Sequence, residues 1–581
     1  MRIIVAQAKP VLGDFIANLA YALKYYHWAN DLGAQLLVLP ELFSTGYIPE
    51  DLLLRESYIQ SLMHQIHSFA KEIRSLAVLI GSPWKIDEAL HNSCLFIANG
   101  QVQHITHKSF LPNDSVFDEY RYFTPGASCR ENNIITIHNQ PYIIAICQDL
   151  WRDEFSHSLS NTQAAYTIAI NASPYHINKQ KLRYEVAERF CRTTSTNLIY
   201  CNQVMMHDSI LYEGASFIMH QSSNNSFNIL QCHSYQEQLM QLDLDDDEDS
   251  SGLTVTNFDV KDDLLKESAH KKIVEMDNLD ELYGALIFGI REYFAFHNFN
   301  CVYIALSGGI DSALTTLLAC DALGSQMVHT IYMPTKFNSS QSATDSSAIA
   351  IALQTDHTVI EIDMLFEHYQ RLILPHIHNK HQNSQLEASL GDADIKASDV
   401  ALQNIQARIR GDIIMSFANA NSALVLGTSN KSELACGYAT LYGDMACGFN
   451  PLKDLYKTQV YNLVKFRNKH LPKSVKVYNH ELDVINASVL NKKPSAELRD
   501  EQYDEQDLPE YSILDKILKT YLEDSMAMPP DNDELFKRVV NMIGSSEFKR
   551  KQAPLGIKVG HASFDKERRY PIMLRRNALL Y

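Results

Sequence analysis

Ile304-Ala305-Leu306-Ser307-Gly308-Gly309-Ile310-Asp311-Ser312-Ala313-Leu314 decides how the second half of this chain must fold. The apolar run from Cys301 to Leu306 predicts a buried strand, Ser307-Gly308-Gly309 a tight turn, and Leu314, Leu317 and Leu318 continue at helical spacing. Glycines remove Cβ atoms where an anion approaches backbone, and the following helix aims unpaired N–H groups and its positive end at that point. The stretch reads as a phosphate cradle. It is not the GxxxxGK[ST] loop, because Asp311 and Ser312 follow the glycines where a lysine is required.

These residues resemble the SGGxDS signature of the ATP pyrophosphatase (PP-loop) enzymes. The resemblance implies that Ser307, Gly308, Gly309, Ile310, Asp311, Ser312, Ala313 and Leu314 serve ATP, which leaves its pyrophosphate in the cradle and passes AMP to an acceptor. An ordinary Gly-rich strand-to-helix turn is the plain alternative, but it does not require so many specified residues in this context.

Outward from the cradle, a helix is expected from Asp280 to Ala295. Strands are expected at Met327–Met333, Thr358–Ile362 and Ser422–Gly427, with an Ala-rich helix near Asp345–Leu353. Such alternation predicts a doubly wound parallel sheet that binds ligands at the carboxyl ends of its strands. Asp311 and Glu433 follow two of those ends and could share a Mg²⁺ with phosphate oxygens, whereas Thr428 or Ser432 capping a helix is the blander reading. The stretches Asn404–Arg410, Thr428–Glu433, Gly437–Asp444, Pro451–Val460, Lys493–Leu498 and Glu547–Gln552 resemble the NAD⁺ synthetases. That resemblance assigns Arg408 or Arg410, Thr428 and Lys457 to ATP, and Asn404, Glu433, Asp444 and Lys549 to deamido-NAD⁺. Lys549-Arg550-Lys551 would otherwise be a solvated basic face. Beyond Lys558 the chain departs from the family pattern, with Gly560-His561-Ala562-Ser563-Phe564 in place of Thr-x-Arg-Ala-Phe.

The first half predicts strands at residues 2–6, Gln35–Leu39, Leu76–Ile80, Tyr142–Ile146, Tyr166–Ile170, Leu198–Cys201 and Ala215–Met219, an α/β layout. Glu41 follows Leu-Val-Leu-Pro, Lys108 lies in His-Lys-Ser-Phe, and Cys147 follows Tyr-Ile-Ile-Ala-Ile. A carboxylate can take a thiol proton and a lysine can hold the oxyanion, so the three form an amidase set. Taken singly, a cysteine after a strand is a small core residue and a lone Glu or Lys is a surface group. In this order and context they resemble the nitrilase superfamily, which implies a four-layer αββα sandwich with Glu41 as general base, Lys108 as stabiliser and Cys147 as nucleophile. Glu119 would support them, and Ser173 and Lys179 would hold the α-substituents of L-glutamine. Gln148, Asp114 and Met205-Met206 stand where glutaminase relatives have Glu, Tyr and two glycines.

At 581 residues the chain is too long for a single core. A nitrilase-like domain over 1–260 and an adenylating domain over 261–581 are expected, with the joint between about 250 and 275. The acidic run Leu242–Gly252 reads as a solvated linker, since it lacks the Gly turn and spaced ligands of an EF-hand loop. A net charge of −18 argues against broad nucleic-acid binding. Ten scattered cysteines without a CxxC pair suggest reduced thiols, and no leader or membrane span is evident, so a cytoplasmic location is expected.

The expected activity is amidation of deamido-NAD⁺ through an adenylated intermediate, with ammonia from glutamine, ATP and Mg²⁺. The resemblance also implies a homo-oligomer and an ammonia tunnel. Rivals are another PP-loop amidotransferase such as GMP or asparagine synthetase, a tRNA-thiolating enzyme, a nucleotide sensor, and an ammonia-dependent enzyme whose first half is only a scaffold.

Overall fold

The computed structural model describes the chain except residues 128–129, 161, 223, 245–252, 262–263, 269–270, 273–277, 379–391, 524–532, 565 and 575–581. Most of the acidic run therefore lies outside the described residues. Its first residues end the strand Gln238–Leu244. The chain divides into two compact units, Met1–Asn278 and Leu279–Tyr581. The strands Leu264–Ser268 and Lys271–Lys272 pair into sheets of the first unit.

In the first unit an eight-stranded sheet runs in the order Leu264–Ser268, Leu253–Lys261, Gln238–Leu244, Arg2–Gln7, Leu36–Val38, Ala77–Ile86, Ala89–Ala98, Gln101–His107. A seven-stranded sheet follows Lys271–Lys272, Phe227–Gln231, Phe217–Gln221, Asn197–Asn202, Tyr166–Asn171, Gln140–Ile146, Ile134–Ile137. The apolar runs are continuous because each central strand is buried on both faces. Ile4, Leu37 and Val78 point to the helices Phe15–Asp31 and Glu56–Glu72, while Ile3, Leu36 and Leu79 meet Ile144, Ile168 and Ile199 of the other sheet. The far face of that sheet packs Ile143, Ala169 and Leu198 on Phe155, Val186 and Phe190 of the helices Asp153–Ser158 and Lys179–Thr194. Three cores between four layers make the αββα sandwich. Each fully buried aliphatic side chain contributes about 1.5–3 kcal/mol relative to exposure.

In the second unit a parallel sheet runs in the order Asp356–Val359, Val328–Tyr332, Val302–Ala305, Leu424–Val425. Tyr303 and Ile331 face Ile405, Ile409 and Ile414 of the long helix Asp392–Asn421, while Val302 and Ile304 are buried on the opposite face by strand alternation. The edge strand begins earlier than the expected Thr358–Ile362, and beyond it Ile360 N–H still bonds Tyr332 O (2.9 Å) and Ile362 N–H bonds Pro334 O (3.1 Å) as both side chains join the core around Phe366. The strands Ala89–Ala98 and Gln101–His107 have no counterpart among the expected elements. The second of them is largely polar, with one face toward solvent.

Candidate functional site

Glu41 leaves the strand Leu36–Val38 in a turn that crosses Gly81 closely. A Cβ on Gly81 would lie 2.4 Å from Pro40 O and from Leu42 N. Lys108 follows the strand Gln101–His107, its backbone pinned by its N–H on Asn92 O (2.8 Å) and by Gly126 N–H on its carbonyl (2.7 Å). Its Nζ donates to Glu41 Oε1 and Glu119 Oε1, both at 2.7 Å, and all three side chains are fully buried. Neutral donors complete the two carboxylates: Asn92 Nδ2 donates to Glu41 Oε1 (2.8 Å), Ala172 N–H to Glu41 Oε2 (2.8 Å), and Tyr47 Oη to Glu119 Oε1 (2.5 Å).

Burial disfavours the ammonium of Lys108, but Glu119 and then Glu41 outweigh it and raise its pKa. Burial likewise raises Glu119 against the pull of Lys108. Cys147 begins a 3₁₀ turn after the strand Gln140–Ile146, at φ +43°, the left-handed region that a β-carbon disfavours. Its thiol is raised by burial and by Glu41, with Lys108 opposing, so the three groups share one electrostatic environment.

Ser173 is buried beside this centre. Its N–H donates to Asn202 Oδ1 (2.9 Å) and its Oγ accepts from Arg183 Nε (3.1 Å). Arg183 also pairs with Glu213 and bonds Ser173 O (2.7 Å), so its guanidinium is committed to holding this loop. Lys179 places its Nζ 4.2 Å from the Trp151 ring centroid. Met205 is buried with Leu42, Tyr47 and Ala172, whereas Asp114 is exposed.

In the second unit Gly308 has φ +75°, and a Cβ there would lie 2.4 Å from Ser342 O, so the turn admits only glycine. Ser307 and Ser312 tie it together: Ser312 Oγ donates to Gly309 O (3.0 Å), and Gly309 N–H donates to Ser307 Oγ (3.3 Å). The cradle opens on a cavity of about 540 Å³ lined by Ser307, Gly309, Ile310, Asp311 and Ser312, together with Asn404, Thr428, Glu433, Asp444, Lys457 and Lys549. Ala313 and Leu314 are buried core residues of the helix Ile310–Leu323 and do not reach this wall. Arg410 lines the cavity and donates to Met333 O (2.9 Å). Arg408 is exposed, with Nε on Leu441 O (3.2 Å), so of the two arginines the structure brings Arg410 to the site.

Lys457 is buried between Asp311 and Glu433, at 3.2 Å from Glu433 Oε1. Asn430 Nδ2 donates to Asp311 Oδ1 (2.9 Å), and its N–H reaches Glu433 Oε2 (3.2 Å) as a capping box of the helix Lys431–Cys436. Burial pushes Glu433 up to about 8, with Lys457 opposing and Asp311 and Asp504 adding. On the far wall Thr440 links Asn404 (2.7 Å) to Asp444 (2.6 Å, through its N–H). Lys549 Nζ donates to Gly437 O and Ala439 O, both at 2.7 Å. Burial pushes Asp444 up to about 6 and holds Lys549 down.

Two family models match the chain, carbon-nitrogen hydrolase over residues 2–222 and NAD synthase over 282–553. A glutamine-dependent NAD(+) synthetase of Thermotoga maritima is 35% identical over 602 residues, covering 99% of each protein. The chain belongs to the glutamine-dependent NAD(+) synthetase family. The Acinetobacter baylyi synthetase is 32% identical, with 98% of each protein covered. Among solved structures, the glutamine-dependent NAD⁺ synthetase of Acinetobacter baumannii, in complex with ADP, superposes with a TM-score of 0.72 at 29% identity and 98% coverage of both chains. The Cytophaga hutchinsonii synthetase shares the fold, with a TM-score of 0.77 at 20% identity, covering 100% of this chain and 98% of that one.

Several residues at these synthetase sites escape motif reading. Tyr47, Asn92 and Asp149 adjoin the first centre and Asp504 the second, while Thr440 and the strap Lys492–Leu498, which fall in or beside stretches already singled out, also line the second. Glu497 of the strap accepts from Asn338 (2.9 Å) and Ser342 (2.6 Å), fastening it beside the cradle. Asp149 carries a sequence signal, an acid two positions after the nucleophile. Asp504 lies in an acid-rich stretch that carries none of the motifs singled out above.

Proposed function

We infer that this chain makes NAD⁺ from deamido-NAD⁺, ATP and L-glutamine. The observation that carries this reading is the presence, in one chain, of a buried Glu41–Lys108–Cys147 centre and an SGG phosphate cradle opening on a nucleotide-sized cavity. An assembled Glu–Lys–Cys set favours the amidotransferase over a scaffold, which has no need of one.

In the glutaminase centre Glu41 takes the Cys147 proton as sulfur attacks the carboxamide carbon, and Lys108 stabilises the oxyanion. Ammonia leaves with a proton returned through Glu41. Water, deprotonated by the same carboxylate, then releases glutamate from the thioester. Glu119 and Tyr47 keep Lys108 charged and oriented, and Ser173 and Lys179 border the substrate's α-substituents.

In the second centre a carboxylate oxygen of the nicotinate attacks the α-phosphorus of ATP, and pyrophosphate departs into Ser307–Ser312. Ammonia attacks the acyl adenylate carbon, loses a proton, and AMP leaves. Lys457 and Arg410 offer positive charge to the phosphates, while Asn404, Asp444 and Lys549 line the dinucleotide side. Asp311 and Glu433 fit a Mg²⁺, since Mg²⁺ takes one or two carboxylates plus phosphate oxygens, and burial, with Asp311 and Asp504 adding to it against Lys457, raises Glu433. Bound there, the ion would neutralise charge on the leaving pyrophosphate.

No helix among the described residues is long and apolar enough to cross a membrane. A cytoplasmic homo-oligomer fits this chemistry, and light scattering tests the assembly. The decisive assay supplies deamido-NAD⁺, ATP, Mg²⁺ and glutamine and follows NAD⁺, AMP and glutamate. Equal yields are expected, and no NAD⁺ from glutamine or from ammonia would end the proposal.

A further inference from the structure

Asp149 is fully buried two residues beyond Cys147, and its carboxylate collects three backbone N–H groups. Oδ1 accepts from Ser109 (3.1 Å) and Phe110 (3.0 Å), the two residues after Lys108, while Oδ2 accepts from Ile146 (3.1 Å), the residue before Cys147. The loop that carries Lys108 and the turn that carries Cys147 thus meet on one side chain.

We propose that Asp149 is a positioning residue that fixes the spacing between the Lys108 ammonium and the Cys147 sulfur during glutamine hydrolysis. The inference rests on the amidotransferase reading and deepens it.

The demand is specific to a carboxylate. Three donors converge on two acceptor atoms, and an asparagine of the same shape has only one acceptor oxygen, so its NH₂ group would confront an N–H. The left-handed backbone of Cys147 gives the turn a reason to need an external tie, because such conformations persist only where surrounding contacts over-determine them. The loop at Lys108 has an equal need, since an oxyanion stabiliser works only at its designed distance from the reacting atom. Burial pushes Asp149 up to about 7, opposed by Lys108 and the three N–H bonds. The group is therefore retained at an electrostatic cost that a purely space-filling residue would not carry.

The test compares the full-length protein with Asp149→Asn and Asp149→Glu. Glutamine-supported and ammonia-supported NAD⁺ formation are measured, as is the rate at which iodoacetamide alkylates Cys147. Asp149→Asn is expected to lower the glutamine-supported kcat at least about 30-fold with KM for glutamine within about threefold, to slow alkylation, and to leave the ammonia-supported rate unchanged. Asp149→Glu, which keeps both acceptors, should recover part of the loss. A wild-type kcat in Asp149→Asn, or a change confined to KM, overturns the inference.

Should both variants be insoluble, hydrogen exchange on the wild-type protein decides: the amides of Ser109, Phe110 and Ile146 must be slow, and fast exchange at Ser109 and Phe110 overturns the inference. Wild-type protein that makes no NAD⁺ from glutamine would instead sink the amidotransferase reading. The exchange result would still judge the contact by itself.

Discussion

Lys108 in the first unit and Lys457 in the second stand in similar electrostatic positions, each buried and each paired with two carboxylates. What differs is the rest of the shell. Around Lys108, neutral donors from Tyr47, Asn92 and Ala172 complete Glu41 and Glu119, and every one of these groups is closed from solvent. Around Lys457 a third carboxylate, Asp504, adds negative charge, and the group borders a cavity of about 540 Å³. The first centre is closed, its carboxylates already satisfied by lysine and neutral donors. The second has an electrostatic surplus that fits a cation and a nucleotide arriving together.

The comparison breaks most sharply at Cys147. Cys147→Ala should lower glutamine-supported synthesis by about 10⁴-fold or more while ammonia-supported synthesis persists, because only the first unit's chemistry needs a side-chain nucleophile. Chromatographic assay of NAD⁺ with each nitrogen donor checks it, and parallel losses with both donors would refute the division of labour.

Lys457→Met should act on both donors alike. At least a 10²-fold loss is expected, from missing charge at the phosphates, with about 3–5 kcal/mol of stability lost where Asp311 and Glu433 are left facing each other. Denaturant unfolding read beside the two rates separates these effects, and an unchanged rate with ammonia would remove Lys457 from the nucleotide centre.

Gly308→Ala sharpens the claim that the cradle is shaped by backbone. The added Cβ collides with Ser342 O in a left-handed conformation, which should cost about 1–3 kcal/mol and raise KM for ATP while leaving glutamine hydrolysis intact. An unaltered KM would show that the turn tolerates a side chain.

Asp444 links the stability of the second unit to pH. Asp444 has a folded pKa of about 6 against 3.8 for the free group, so its native form holds more protons than its unfolded form between those values. Its contribution is fully present below pH ~4 and is lost as pH rises through ~6, about 3 kcal/mol at most. Asp444→Asn should flatten the fall of thermal stability across that window, and an identical slope in the variant would contradict the burial argument.

Much of this was open to reading in the chain itself. Cys147 directly follows an apolar strand and Glu41 comes just beyond another, and the Ser307–Ser312 turn announces itself through glycines between a strand and a helix; these are local signals, written in neighbouring residues. The alternating burial of Ile3 and Ile4 on two different cores is likewise why unbroken apolar runs mark the sandwich strands.

Other features exist only through folding. Arg408 and Arg410 are two residues apart on one helix, about 200° around its axis, so packing of Ile405 and Ile409 on the sheet decides which of them meets the cavity. Asp311, Glu433, Lys457 and Asp504 are spread over nearly two hundred positions and become one charged group when the helices close on each other. Asp149 joins Lys108 to Cys147 through backbone N–H groups, which every sequence carries and none advertises. Composition and motif supplied the reagents of this protein, and long-range packing set their distances, because spacing between groups remote along the chain is a property of the folded core alone.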